Sequence, residues 1–452
     1  MHWNSVLSTP GARYCTADIS NMYLCSDLPE SEYVRFKYDM IPPNIIKHYN
    51  LDTLVENGFV YAKINKAWYG LKQSGRIAHD DLVSHLKESG YVKAPRTEGL
   101  FVHKTRKISF TLVVDDFGIK YEKLADLEHL TAAIRKKYPL KVDYDAKQYV
   151  GITLDWNYDE GELICSMPGY VAQALREFEH ASPPSHYKGP SKIDRPDYGV
   201  KVQYVKEDLT KQLTAEQIKF LQRVTGKFLF YARAIDNTML HAINDIASAT
   251  MHGTEQTLAA ATFFLNYAAS NPDGEIIFRT SDMILRIDSD AAYLVCPKAR
   301  SRAGGYHYLG SKDGTLFNGP ILVLAKIIKN VMASAAEAEV AGIYMNAQLA
   351  VGYRNCLIEM GHPQPPTPIR TDNTTARGII TGTIKQKRSK TIEMRFYWLN
   401  DRYEQGQFDY VWGKGTENLG DAPTKHHPGS HHLQIRPIYL HIKGKSPKTM
   451  QG

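Results

Sequence analysis

A β-favouring run, Ile108-Ser109-Phe110-Thr111-Leu112-Val113-Val114, ends on two adjacent aspartates, Asp115 and Asp116. No other feature constrains the chain as strongly. Branched and aromatic residues at this density predict a strand. Asp115-Asp116-Phe117-Gly118 breaks it, and Ile119-Lys120-Tyr121 can return as its partner. Two carboxylates held together at a strand turn repel each other unless a cation binds there. A third carboxylate, Asp18 in Ala17-Asp18-Ile19, lies in another β-rich stretch. Nucleotidyl transfer needs such a set: two divalent cations about 4 Å apart, one activating the attacking hydroxyl and one holding the triphosphate and leaving group. Magnesium takes oxygen ligands, so carboxylates must converge on it from separate strands. An Asp-Asp turn by itself is more often simply solvated, so the wider pattern has to carry the argument.

Beyond the hairpin, helical spacing of apolar residues predicts a helix over Leu124–Tyr138, and a short strand follows over Tyr149–Trp156. Residues 182–197 hold several prolines and little periodicity, the pattern of a linker. Thr214–Ser270 reads as helical, with breaks near Asp236-Asn237 and Gly253. After a turn at Asn271-Pro272-Asp273-Gly274, strands are expected at Met283–Ile287, Gly305–Leu309, Pro368–Thr371 and Phe408–Trp412. Helices are expected at Ser334–Val351, from Asn373, and at Thr391–Gln405. A strand-rich start followed by alternating helix and strand suggests a mixed sheet flanked by helices.

This last region carries a second set of carboxylates. Asp290 and Asp372 fall on or just past strands, Glu339 falls on a helix, and Asp421 is expected to open another helix, with Pro423 in its first turn. Cleavage of a phosphodiester by a metal-bound water needs a cluster of this kind. Two neighbours compete for places in it. Glu337 and Glu339 are two positions apart on a helix and point about 200° apart, so only one can face the site. Asp288 and Asp290 share one side of an extended strand, and Asp290 is preferred with Asp288 as a neighbour.

Four motifs, in order, resemble the reverse transcriptase of copia-type retrotransposon polyproteins. They are Asp18-Ile19-Ser20-Asn21-Met22-Tyr23-Leu24, Tyr69-Gly70-Leu71-Lys72-Gln73-Ser74-Gly75-Arg76, Val113-Val114-Asp115-Asp116 and Tyr149-Val150-Gly151-Ile152-Thr153-Leu154. The four carboxylate segments at Asp290, Glu339, Asp372 and Asp421 resemble the ribonuclease H domain of the same family. So do Lys298-Ala299-Arg300-Ser301-Arg302-Ala303-Gly304-Gly305-Tyr306 and Thr424-Lys425-His426-His427-Pro428. The local pattern Glu339-Val340-Ala341-Gly342 matches the family's helical motif, which selects Glu339 over Glu337.

The resemblance implies an α+β reverse transcriptase palm and thumb with a helical connection, followed by an α/β ribonuclease H-like domain. The corresponding segments are residues 1–181, 182–280 and 281–440, with a tail over 441–452. Asp18, Asp115 and Asp116 would hold the metals of DNA synthesis; Asp290, Glu339, Asp372 and Asp421 would hold those of RNA cleavage. Two magnesium ions per site are implied, or manganese in their place. Tyr23 would be the steric gate against a ribose 2′-hydroxyl. Gln73 would lie beside the incoming nucleotide, Val114 would touch the primer end, and Gly151 belongs to the primer-grip motif. Implied partners are an RNA template, a DNA primer, the RNA–DNA hybrid, deoxynucleoside triphosphates and the other domains of a parent polyprotein.

Two departures from the family pattern are visible. Gly420-Asp421-Ala422-Pro423 lacks the aromatics the family carries before Thr-Lys, which suggests looser packing of that segment. Only 17 residues precede Asp18, so the family's fingers are expected to be largely missing and polymerisation by this chain alone to be weak. The competing reading is an element fragment that binds nucleic acid without polymerising, or that retains ribonuclease activity only.

Charge agrees with an anionic partner. The net charge is +7, and residues 281–452 hold 22 Lys and Arg against 14 Asp and Glu, so the excess lies in the last third. The run Lys385-Gln386-Lys387-Arg388-Ser389-Lys390 offers Lys385, Lys387, Arg388 and Lys390 as phosphate contacts without base specificity. The five scattered cysteines suggest neither a disulfide framework nor a zinc site. The pairs His426-His427 and His431-His432 are read as ordinary side chains rather than metal ligands. No apolar run is long enough to span a membrane, and the N-terminus lacks a signal-peptide layout, so a cytoplasmic or nuclear location is expected.

Overall fold

The computed structural model describes residues 1–193, 205, 207–384 and 393–442. The basic run containing Lys385, Lys387, Arg388 and Lys390 lies outside the described residues. The chain forms two compact units, residues 11–146 and residues 1–10 with 147–452. Helix α1 (His2–Leu7) belongs to the second unit.

The unit 11–146 is built on strands β1 (Arg13–Ile19), β2 (Asp27–Lys37), β3 (Val55–Glu56), β4 (Phe59–Lys66), β5 (Tyr91–Lys93), β6 (Leu100–His103), β7 (Ile108–Val113), β8 (Asp116–Tyr121) and β9 (Leu140–Asp143). Its helices are α2 (Pro43–Tyr49), α3 (Ser74–Glu88) and α4 (Leu124–Arg135). The main sheet runs β5-β6-β7-β8-β1-β9. One face is covered by α3 and α4, through Leu82, Leu86, Leu127, Leu130 and Ile134 against Cys15, Phe101, Phe110, Phe117 and Ile119. Alternation sends every second residue of β7 inward, as Ile108, Phe110 and Leu112 are buried. A separate sheet, β2-β4-β3, holds the residues between Asp18 and Gln73. It is largely exposed on both faces, so its sequence shows no clean alternation.

The second unit contains two sheets. Strands β10 (Gln148–Tyr149), β11 (Ile152–Asn157), β12 (Glu162–Ser166) and β13 (Glu275–Arg279) form an antiparallel sheet in that order. The stretch Tyr149–Trp156, expected as one strand, is instead a hairpin. Val150 (φ 45°) and Gly151 (φ 81°) turn the chain between β10 and β11. Between β12 and β13 run helices α5 (Tyr170–Glu177), α6 (Ala215–Ala234), α7 (Leu240–Ala249) and α8 (Glu255–Ser270). Thr214 starts α6 with a side chain accepting from the Gln217 N–H, and Thr254 does the same for α8. The breaks fall at Asp236 and Gly253, as expected from the sequence.

The other sheet is mixed. Strands β14 (Ile284–Cys296), β15 (Arg300–Gly310), β16 (Pro320–Ile328), β17 (Thr367–Thr371) and β18 (Phe408–Trp412) lie in the order β16-β15-β14-β17-β18. The β14–β15 and β15–β16 pairs are antiparallel, and β14–β17 and β17–β18 are parallel. Helices α9 (Ala335–Glu359), α10 (Thr374–Ile380) and α11 (Glu393–Glu404) connect these strands, and α12 (Gly429–Tyr439) follows. Leu285, Ile287, Ile369 and Tyr410 of the sheet pack on Ile343, Ala347, Ile380 and Leu399 of the helices. Helix α7 reaches the sheet through Asn244 Nδ2, which donates to the Ala325 carbonyl at 2.9 Å. This is the expected mixed sheet with flanking helices. Strand β16 was not anticipated: Ile321-Leu322-Val323-Leu324-Ala325 is a short apolar run whose periodicity does not separate strand from helix.

Candidate functional site

Two carboxylate sites follow from these sheets. In the first, β1 and β8 pair antiparallel with Asp18 opposite Asp116. Asp115 sits one residue earlier, in the turn from β7, and its carbonyl accepts the Ile19 N–H at 3.2 Å. Val114 at this tip has φ 60° and is exposed, a backbone state that costs a branched residue energy. All three aspartates are partly exposed. Burial, then Asp115 and Asp18, push the Asp116 carboxyl above its ordinary range. Among the described residues, the groups with ligand atoms mutually within 4.8 Å do not include this trio.

Tyr23 follows on a short 3₁₀ turn, Met22–Cys25. Its ring stacks on Tyr69 with centroids 4.6 Å apart, and a Cβ on Gly75 would come within 3.3 Å of its hydroxyl. Tyr69, to which the family resemblance assigns no role, is thereby part of the same surface. Burial, then Asp115, Tyr23 and Asp18, raise its phenol pKa. Gln73 precedes α3 and donates to Glu32 Oε1 at 2.9 Å. Gly151 lies in the other compact unit, at the β10–β11 turn.

In the second site, Asp290 stands in β14, Glu339 in the second turn of α9, and Asp372 immediately after β17. Their ligand atoms all lie within 4.8 Å of one another. Asp290 and Glu339 are 8% and 6% exposed, while Asp372 is exposed. Burial, with Asp421 and Asp372 adding charge repulsion, pushes the Asp290 carboxyl up to about 6. Burial, then Asp290 and Asp372, push Glu339 up to about 9. Such shifts record like charges brought together in a poorly solvated place.

The ambiguous neighbours separate clearly. Asp288 is paired with Arg370, whose Nε donates to its Oδ1 at 2.9 Å, and it accepts the Leu419 N–H at 3.1 Å. Glu337 turns back to accept the Ala333 N–H at 2.6 Å, while Ser334 caps the helix. The strand and helix periods thus leave Asp290 and Glu339 for the site.

Asp421 does not open a helix. It lies in a turn, and α12 begins only at Gly429. Pro423 fits that turn because no N–H is needed there. Asp421 accepts from Lys425 Nζ. Nor is the segment loosely packed. Thr424 Oγ1 donates to Asp290 Oδ2 at 2.8 Å, and Asn418 Nδ2 donates to the Ser289 carbonyl at 2.8 Å. Glycines make the approach feasible. A Cβ on Gly304 would collide with the Gly420 carbonyl and Thr424, and one on Gly305 with Asn346. Arg370, Thr424 and Lys425 were not anticipated as part of the site, although Thr424-Lys425 is within a quoted motif.

Residues 15–187 match the family described as reverse transcriptase (RNA-dependent DNA polymerase). The chain is 21% identical over 374 residues to the retrovirus-related Pol polyprotein from transposon TNT 1-94 of Nicotiana tabacum, covering 80% of this chain and 27% of that protein. It is 22% identical over 423 residues to the transposon Ty1-ER2 Gag-Pol polyprotein of Saccharomyces cerevisiae, covering 90% of this chain and 22% of that one. The chain therefore spans about a quarter of the length of these curated relatives. Among solved structures, it overlaps the Prototype Foamy Virus protease-reverse transcriptase at 14% identity and TM-score 0.24, covering 90% of this chain and 44% of that one. It overlaps LC11-RNase H1 at 14% identity and TM-score 0.26, covering 31% of this chain and 93% of that one.

Proposed function

We propose, from the match of residues 15–187 to the reverse transcriptase (RNA-dependent DNA polymerase) family, that the chain is the DNA-synthesising and hybrid-cleaving part of a copia-type retrotransposon polyprotein. In this reading the β7–β8 hairpin and Asp18 extend a DNA primer on an RNA or DNA template. The cluster in the mixed sheet cleaves RNA paired to DNA. The observation that carries the second activity is the convergence of Asp290, Glu339 and Asp372 within 4.8 Å, two of them buried.

Both carboxylate sets fit divalent cations. The donors are hard oxygens, and burial with mutual repulsion raises the Asp116, Asp290 and Glu339 carboxyls, an environment a cation would relieve. Asp18, Asp115 and Asp116 would hold one pair of ions, magnesium or manganese, and Asp290, Glu339, Asp372 and Asp421 the other. Bound there, the ions would supply Lewis-acid activation of the attacking oxygen and charge neutralisation at the leaving one. The residues supply the rest. Tyr23, backed by Tyr69, fills the space under the incoming sugar. Gln73 borders the nucleotide, Val114 meets the primer end, and Gly151 belongs to the grip on the primer strand. Lys425 balances Asp421, and Thr424 orients Asp290. Lys385, Lys387, Arg388 and Lys390 would contact hybrid phosphates, giving binding that weakens steeply with salt.

Deoxynucleoside triphosphates, template, primer and hybrid are the proposed ligands, and other polyprotein-derived domains the proposed partners. Among the described residues no helix is long and apolar enough to cross a membrane; a cytoplasmic or nuclear location is part of the proposal. Primer-extension and hybrid-cleavage assays on the purified chain, run side by side with and without Mg²⁺, test the reading. Metal-dependent cleavage of the RNA strand is expected; a folded chain that binds hybrid but performs neither reaction overturns it in favour of a binding-only fragment.

A further inference from the structure

We propose that His241, Asp245 and His426 form a zinc-type metal site that clamps the Asp421 segment to helix α7. The ligand atoms of the first three lie within 4.8 Å of one another. Asp245 Oδ2 is 2.9 Å from His426 Nε2 and 3.7 Å from His241 Nδ1. Bonds of about 2.0–2.1 Å in a tetrahedron place neighbouring donors roughly 3.3 Å apart, midway between these separations. His241 and Asp245 are four positions apart on α7 and so share one face.

The second observation is independent of that spacing. His241 is 7% exposed, and its Nδ1 is buried with no hydrogen-bond partner among the described residues. The His427 side chain is 8% exposed, and its Nε2 is likewise unpartnered, 3.9 Å from Asp421 Oδ2. Leaving such a nitrogen buried and unpaired costs about 1–3 kcal/mol. Both imidazoles line one cavity, together with His426, which has room for a water-sized occupant. A cation held by His241, Asp245 and His426 would satisfy the orphaned His241 nitrogen.

The donor set selects the kind of ion. Neutral imidazoles with one carboxylate suit zinc and its neighbours, whereas magnesium prefers oxygen alone. Two cationic side chains stand beside the cluster, and each is already engaged. Arg302 holds the other oxygen of Asp245, so Oδ2, which faces His426 Nε2, is the one a metal would take, and Lys425 is on Asp421. Outer partners of this kind orient a ligating carboxylate. His426 and His427 directly follow Thr424 and Lys425, which touch Asp290 and Asp421. Metal binding would therefore hold in place the segment on which the catalytic cluster leans. The histidine pair, read from sequence as ordinary, acquires its partners only from α7.

The test uses the full chain, stripped with chelator and kept in excess Mg²⁺ to occupy the carboxylate cluster, then titrated with Co²⁺ as an optical probe. The expected result is the intense visible absorption of tetrahedral cobalt, saturating at one ion per chain and discharged by Zn²⁺. His241→Asn and His426→Ala should each remove the band; Asp372→Asn should leave it. His426 has a side chain 38% exposed, so His426→Ala settles the matter if His241→Asn does not fold. Zn²⁺ should also raise the unfolding midpoint of the unsubstituted chain, increasingly with concentration, and not that of His426→Ala. Absence of the band, or a weak one that survives His426→Ala, would show the cluster to be an ion-pair network only. These readouts involve neither proposed reaction, so failure here and failure of the cleavage reading are separately visible.

Discussion

The hairpin carboxylates and the sheet-cluster carboxylates differ in how far the protein alone has assembled them. Asp18, Asp115 and Asp116 stand partly exposed at a strand turn without closing into one ligand set. Asp290, Glu339 and Asp372 are already gathered within 4.8 Å, with two of them buried. A hairpin tip has few neighbours and water on one side, so its carboxylates repel one another only weakly. The cluster is held by β14, α9 and the end of β17, whose positions the core dictates, so repulsion is built in and relieved only by protons or cations. Magnesium commonly completes its shell with water and substrate phosphates. On the proposed function, the open site would take a substrate that carries its own triphosphate, and the closed site a backbone phosphodiester with less charge to offer.

The comparison is broken most sharply by single carboxamide substitutions. Asp372→Asn should lower hybrid cleavage at least about a thousandfold, ~4 kcal/mol in transition-state terms, while any primer extension by the same chain changes less than about twofold. Asp115→Asn should do the reverse. Parallel loss of both activities in either folded variant would show that the two sites are not independent.

The framework beneath the cluster should be the next most sensitive. Asp288 is 3% exposed and relies on Arg370. Arg370→Ala leaves that carboxylate buried without its cation, which should cost roughly 3–5 kcal/mol. Urea unfolding followed by far-UV circular dichroism would measure it, and a loss below about 1 kcal/mol would remove Arg370 from the framework.

At the open site the expected effect is smaller and concerns choice rather than rate. Tyr23→Ala should raise ribonucleotide over deoxynucleotide incorporation by about tenfold or more, ~1.4 kcal/mol of discrimination. Because Tyr69 stacks on Tyr23, Tyr69→Ala should produce a weaker shift in the same ratio. An unchanged ratio in Tyr23→Ala removes the gate.

The smallest effect is on pH dependence, where the two sites again part. Asp290 and Glu339 titrate in the folded chain at about 6 and about 9, above their ordinary values. Their contribution to stability is complete below about pH 4 and is lost as pH rises through those values. Without divalent metal, the unfolding midpoint should fall by a few degrees between pH 5 and 9, and Mg²⁺ should restore it. Glu339→Gln should flatten that fall; a midpoint with the same pH slope in the variant would show that Glu339 is not the strained group.

Much of this is legible in the amino-acid sequence. The hairpin at Asp115-Asp116 follows from a β-branched run that stops at two charges, and β7 and β8 appear where it puts them. The helices over 214–270 break at Asp236 and Gly253 because local capping chemistry marks those points. Other parts were not legible. The sheet β2-β4-β3 is exposed on both faces, so no alternation betrays it. The segment at Asp421 was expected to open a helix, but the chain closes a single turn there, with the Thr424 N–H on the Asp421 carbonyl at 3.0 Å.

By itself, then, the sequence determined the chemical inventory: which carboxylates stand at strand ends or on helices, and which local segments turn, extend or coil. Those are short-range matters, decided by φ/ψ preferences and the periods of helix and strand. Only the tertiary structure decided which of two eligible neighbours acts. Asp288 and Asp290 share one side of β14, and what separates them is Arg370, delivered by the parallel strand β17. Glu339 joins the cluster because α9 crosses the sheet at that turn, while Glu337 closes its own helix end. His241 meets His426 because α7 packs on β16 and the Asp421 segment packs on β14 and β15. Contacts between residues far apart in sequence depend on where whole elements lie, and that is set by the shared core rather than by any local pattern.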